Sequence, residues 1–138
     1  MSRTRKTPTM PVVIDSSALV ELVAQTERAP AVAQAVGTAD MVAPDVVNPE
    51  VLSALRRMER IGTLTARRGV QAVDDLMDSP VRRFSTLPLL AEAWMLRANV
   101  TAADALYVVL ARILRCPLVT ADRKLSGAPR LGVPLITV

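Results

Sequence analysis

The sequence predicts a single α/β domain of three layers, with helices on both faces of a mostly parallel sheet. Three observations carry this. Short apolar runs of strand length alternate along the chain with stretches of helical period. The runs are apolar throughout rather than every second residue, as strands covered on both faces are. Of the 138 residues, 51% are hydrophobic and 22% charged, enough to bury one sizeable core.

The elements follow in order. Pro11-Val12-Val13-Ile14 reads as a buried strand. Ser16 or Ser17 is placed to cap the helix that follows, in which Leu19, Leu22 and Val23 share a face. Pro30 suits the first turn of a short second helix ending near Gly37. Met41-Val42-Ala43 is a short strand before Pro44. Asn48 is the expected N-cap of the next helix, with Pro49 at its first position and Gly62 past its end. Thr65 opens another helix, from Ala66 to about Met77, with Pro80 closing it and Gly69 weakening its pattern. Val81 to Ser85 reads as a strand, and Pro88 to Ala98 as a helix ended by Asn99. Thr101 caps a helix that runs to Arg115. Pro117 to Thr120 and Pro134 to Val138 complete the alternation as strands.

Composition removes several kinds of chemistry. There is no histidine and one cysteine, Cys116, so a Ser-His-Asp triad and a structural zinc site are both excluded. Cys116 adjoins a strand and reads as a small buried hydrophobe, since no histidine is present to activate it. Without a disulfide framework, a reducing, cytoplasmic setting is expected. The aromatics are Phe84, Trp94 and Tyr107 alone, which speaks against nucleic-acid recognition by an aromatic platform. Net charge is +4, but Arg3, Arg5 and Lys6 supply most of it, so residues 1–10 read as a flexible basic tail. Residues 11–138 form a nearly neutral domain, and no signal peptide or membrane span is expected. All basic residues but Lys6 and Lys124 are arginine, which suits fork-like contact with phosphate.

Four acids recur at equivalent places. Asp15 follows the first strand and Asp122 the apolar run ending at Thr120, while Glu50 and Asp104 stand in the first turns of two helices. Each has an ordinary explanation alone: a turn, a cap, or a negative charge at a helix N-terminus. Together they fall on the edge of a parallel sheet where ligands bind. Carboxylates gathered there repel one another, and a hard divalent cation such as Mg²⁺ or Mn²⁺ relieves the repulsion. Thr120 and Ser16 are candidate supporting hydroxyls beside Asp122 and Asp15. The pattern points to a metal-dependent phosphodiesterase.

These segments resemble the PIN-domain nucleases. VVIDSSALVEL is similar to the family's first-strand motif with Asp15 as its acid, and PEVLSALRR to its second element with Glu50. TAADALYVVLARIL resembles the third, on Asp104-Ala105, and LVTADRKL the fourth, on Asp122. The order and the separations of 35, 54 and 18 positions agree with a short bacterial PIN domain from about Val12 to Val138, of the VapC toxin type. Ala102 departs from the pattern, where the family often has an aromatic or histidine.

The resemblance implies a cytoplasmic endoribonuclease that is the toxin of a toxin–antitoxin pair. Its four acids would hold one or two Mg²⁺ or Mn²⁺ ions, and a water activated there would attack the scissile phosphorus. Asp15 and Asp104 are the expected direct ligands. It implies RNA as substrate, a homodimer, and an antitoxin that wraps the toxin, with the region from about Val51 to Met77 as the contact surface. Arg123 or Lys124 is placed to touch the RNA backbone. Two other classes fit an α/β chain: a PIN-like module that binds RNA or a partner without cutting, and a receiver-like regulator. The regulator needs a lysine near its last strand, and Lys124 comes too soon after Asp122 to serve.

Overall fold

The computed structural model describes residues 9–128 and 131–138, so the basic tail, apart from Thr9 and Met10, lies outside the described residues. Five strands form one sheet: β1 (Pro11–Ile14), β2 (Asp40–Pro44), β3 (Arg82–Phe84), β4 (Leu118–Thr120) and β5 (Leu135–Thr137). Their order is β3-β2-β1-β4-β5, and every neighbouring pair is parallel. The chain therefore winds outward from β1 through β2 to β3, then returns to the other side of β1 for β4 and β5. That reversal leaves a crevice outside the carboxyl ends of β1 and β4.

Among the described residues seven helices cover the sheet: α1 (Ser16–Ala24), α2 (Ala29–Val36), α3 (Val47–Arg60), α4 (Ala66–Asp78), α5 (Leu90–Trp94), α6 (Ala102–Leu114) and α7 (Arg123–Ser126). Helix α1 packs against α2, α3 and α4, while α6 packs on β1, β2, β4 and α5, which makes the three layers. The core is aliphatic, with Val13, Ile14, Leu118, Val119, Val108 and Val109 fully enclosed. Among the described residues no helix is long and apolar enough to cross a membrane.

Several boundaries differ from expectation. Asp15 itself caps α1, its carboxylate accepting from the Ala18 amide at 3.0 Å, so Ser16 and Ser17 fall inside the first turn. A carboxylate at this place meets free amides and the positive end of the helix, and outcompetes a neighbouring hydroxyl. Helix α3 starts at Val47 because Val46 already has helical backbone angles, and Asn48 does not cap it. The Asn48 side-chain oxygen instead accepts from Arg83 Nε at 3.1 Å. Arg83 also donates to the Leu76, Ser79 and Val81 carbonyls, taking up acceptors that the end of α4 leaves open. The helix expected over Pro88 to Ala98 is broken into a 3₁₀ turn at Leu87–Leu89 and the short α5, followed by turns. Helix α7 was not expected; Asp122 caps it through a 2.9 Å bond from the Lys124 amide.

Thr65 caps α4 as expected, accepting from the Arg68 amide at 3.1 Å. Gly69 lies inside that helix with room for a side chain. An added Cβ would stand 3.7 Å from Glu59 Oε2 and 3.8 Å from Leu64 Cδ2, ordinary contact distances. Gly69→Ala is therefore expected to stabilise the domain by about 0.5–1 kcal/mol through a less disordered unfolded chain. Urea denaturation at constant slope measures it, and a lower midpoint would show that the site cannot take a methyl group.

Candidate active site

All four acids lie at the crevice. Asp15 follows β1 directly, and Asp122 comes two residues after β4, held by the cap it provides to α7. Glu50 and Asp104 occupy the first turns of α3 and α6, which begin at the same edge. An open cleft of about 640 Å³ is lined by Glu50, Asp104 and Asp122 together with Ser16, Arg97 and Lys124. Asp15 is only 3% exposed and lies buried beside the cleft rather than on its wall.

The buried acid is held by a hydroxyl network. Ser17 Oγ donates to Asp15 Oδ1 at 2.6 Å and accepts from the Ala121 amide at 2.9 Å. It stands 3.3 Å from Thr120 Oγ1, which accepts from the Asp122 amide at 2.9 Å. These bonds tie the carboxyl ends of β1 and β4 together through fully buried Thr120. Thr120 Oγ1 thus lies in this network, between Ser17 and the Asp122 amide. The hydroxyl that supports Asp15 is Ser17 rather than Ser16, because the side chain two residues beyond a helix cap turns back toward it.

Tyr107 is the residue that the sequence reading missed. It is 1% exposed, and its hydroxyl donates to Glu50 Oε1 at 2.6 Å. Burial first, then Glu50, hold its proton far above the usual tyrosine range, so it remains a donor. The signal was its position three residues after Asp104, one helical turn away on the same face. Arg97 was missed as well, because it lies in a turn without periodic pattern.

Electrostatics mark the cleft as crowded with like charge. Burial pushes the Asp104 carboxyl up, and the charges of Asp122 and Glu50 push it further, against a hydrogen bond from Thr101. Asp15 is also raised, by burial first, with Ser17, Thr120 and the Ala18 amide opposing and Asp104 adding. The donors are all oxygen, the set that suits a hard divalent cation. Yet among the described residues no three acids converge closely enough to hold an ion directly. Asp15 is turned to Ser17 and Ala18, and Glu50 to Tyr107.

A parallel sheet in this order, with four acids at its carboxyl edge, agrees with the family that the sequence segments resemble. The PIN domain family model matches residues 12–131, and the chain belongs to that family, on its VapC-type branch. Ribonuclease VapC3 of Mycobacterium tuberculosis is 42% identical over 128 residues, covering 90% of this chain and 93% of its own length. Ribonuclease VapC9 of the same organism is 33% identical, covering 92% of this chain and 98% of its own. Among solved structures, VapBC2 from Rickettsia felis bound to a promoter DNA fragment has a TM-score of 0.66 at 12% identity, covering 93% and 98% of the two chains. VapC20 from Mycobacterium tuberculosis, a Sarcin-Ricin loop cleaving toxin, has a TM-score of 0.63 at 18% identity, covering 83% and 92%.

Proposed function

We propose that this protein is a divalent-metal-dependent endoribonuclease and the toxin of a toxin–antitoxin pair, with Asp15, Glu50, Asp104 and Asp122 as its site. The single observation that carries the reading is the gathering of the four acids at one sheet edge, with Asp104 raised by burial and then by the charges of Asp122 and Glu50. The relatives named ribonuclease, 42% and 33% identical over nearly the whole chain, supply the substrate class. Bound Mg²⁺ or Mn²⁺ would supply a water of lowered pKa and positive charge facing the phosphate.

The chain's own groups divide the remaining work. Asp104, Glu50 and Asp122 line the cleft and attract the cation; Asp15, buried beside them, adds negative charge from behind. Tyr107 and Ser17 hold Glu50 and Asp15 in fixed directions. Arg97 and Lys124 line the same cleft and offset the repulsion that an RNA phosphate would meet among the acids. Of the two basic candidates after β4, Lys124 therefore fits the backbone contact better than Arg123.

The antitoxin partner would dock on α3 and α4. A groove of about 330 Å³ between them is lined by Leu52, Leu55, Val70 and Val73. Leu52, Val70 and Met77 on the same two helices, with Ile61 just past the end of α3, are all exposed, an apolar surface of the kind that marks a protein partner. The solved complexes of related fold are consistent with such a partner. A cytoplasmic homodimer is proposed on the family resemblance, and sedimentation tests the dimer.

A second reading, a module that binds RNA without cutting it, draws on one observation: among the described residues no three acids converge to hold an ion. Incubation of a structured RNA pool with Mg²⁺, Mn²⁺ or EDTA separates the two. Cutting with either metal that EDTA stops, and that Asp15→Asn loses, is the expected result. Asparagine also caps helices well, so this variant removes charge while keeping α1. Equal background from wild type and variant would leave the binding module.

A further inference from the structure

The turn after α5 carries a feature with no role in the acid site as described. Trp94, the chain's one tryptophan, is 65% exposed at the end of α5. It lines an apolar groove of about 420 Å³ with Leu90, Ala93, Val100 and Leu106. Arg97 lies with its guanidinium 4.7 Å from the centre of the Trp94 ring and donates to the Trp94 carbonyl at 3.0 Å.

This groove and the acid cleft adjoin, with Arg97, Val100 and Thr101 lining both. Arg97 stands at the join and presents positive charge there. A polynucleotide lying with one phosphate over the acids would bring its neighbouring nucleotide to this join. The next phosphate would meet Arg97 and the base would meet an apolar slot with an aromatic wall. Stacking on an aromatic side chain beside an arginine is how proteins hold unpaired bases.

We propose that the Trp94 groove is a subsite for one unpaired base of the RNA substrate, adjacent to the phosphate that is cut. The proposal rests on the nuclease reading for its substrate class. One aromatic side chain is not a platform, so the scarcity of aromatics in the chain does not oppose it. Stacking is tolerant of base identity. Trp94 therefore selects for an unstacked nucleotide next to the cut, and less for which base it is.

The sole tryptophan makes the test direct. Single-stranded oligoribonucleotides are titrated into the full-length protein in EDTA, where no hydrolysis is expected, while tryptophan fluorescence is recorded. Saturable quenching is expected. Trp94→Ala, its fold checked by circular dichroism, is expected to raise KM for cleavage roughly tenfold at nearly unchanged kcat, and Trp94→Phe to restore most of the loss. Quenching by RNA in a protein that cuts nothing would sustain the subsite while the nuclease reading fell. Absence of quenching, or a Trp94→Ala variant that cuts with wild-type KM, overturns the subsite while the nuclease reading stands. A dimer that dissociates in Trp94→Ala with RNA affinity unchanged also overturns it, and assigns the groove to a second copy of the chain.

Discussion

Asp104→Asn is expected to melt higher than the wild type at neutral pH and to cut RNA slower by roughly a hundredfold or more. Both results have one cause. Asp104 is raised by burial and by the charges of Asp122 and Glu50, so its ionised form is disfavoured in the folded state. A carboxyl raised above the usual 3.8 keeps protons in the folded chain that the unfolded chain has already lost. Stability contributed by this group is therefore lost as pH rises from about the usual value through the folded one. Asparagine carries no charge and escapes that loss. The variant should melt higher at pH 7, and the difference should vanish near pH 3. Thermal melts of the two proteins across that range, run without divalent metal, decide it. A variant that melts lower at every pH would mean that the acids do not repel one another in the folded protein. Added Mg²⁺ should raise the wild type's melting temperature more than the variant's, because binding to the folded state alone stabilises it.

Tyr107→Phe has the next largest expected effect. The phenyl ring fills the same buried space, so the core keeps its packing and only the 2.6 Å bond to Glu50 is lost. A hydrogen bond to a charged acceptor contributes roughly 1.5–3 kcal/mol. If the bond exists to hold Glu50 toward the cation, kcat falls roughly 10- to 100-fold with KM for RNA unchanged. Mn²⁺ affinity, read by electron paramagnetic resonance, falls alongside it. Wild-type kcat and Mn²⁺ affinity in this variant would make Tyr107 a core residue and no more. The second measurement is needed because a change in stability alone would move neither value.

Much of this was legible in the chain. A run such as Pro11 to Ile14 has no polar residue, so it belongs between two covered faces, and a parallel sheet follows from several such runs separated by helices. Thr65 and Thr101 cap α4 and α6 as read, because a cap is a local bond between a hydroxyl and an amide three residues on. The four acids were legible for a similar reason: each sits at a strand end or a helix start, and the sheet's winding brings those places to one edge.

What escaped the sequence depended on distant partners. Asn48 has every local property of an N-cap, yet Arg83, 35 residues later, takes its side-chain oxygen. Helix α5 ends early where local spacing favours continuation, and the turn that follows sets Arg97 on the wall of the cleft and against the Trp94 ring. Tyr107 reads as one more apolar residue on a buried helix until Glu50 is placed opposite it by the packing of α3 and α6 around the same sheet edge. The sequence by itself determined the alternation of strands and helices and the Thr65 and Thr101 caps, because each rests on residues within a turn of one another. The tertiary structure alone decided which oxygen each acid presents and which donor holds it. Those directions arise where β1 and β4 lie side by side, about a hundred residues apart in the chain, and no local bond prescribes them.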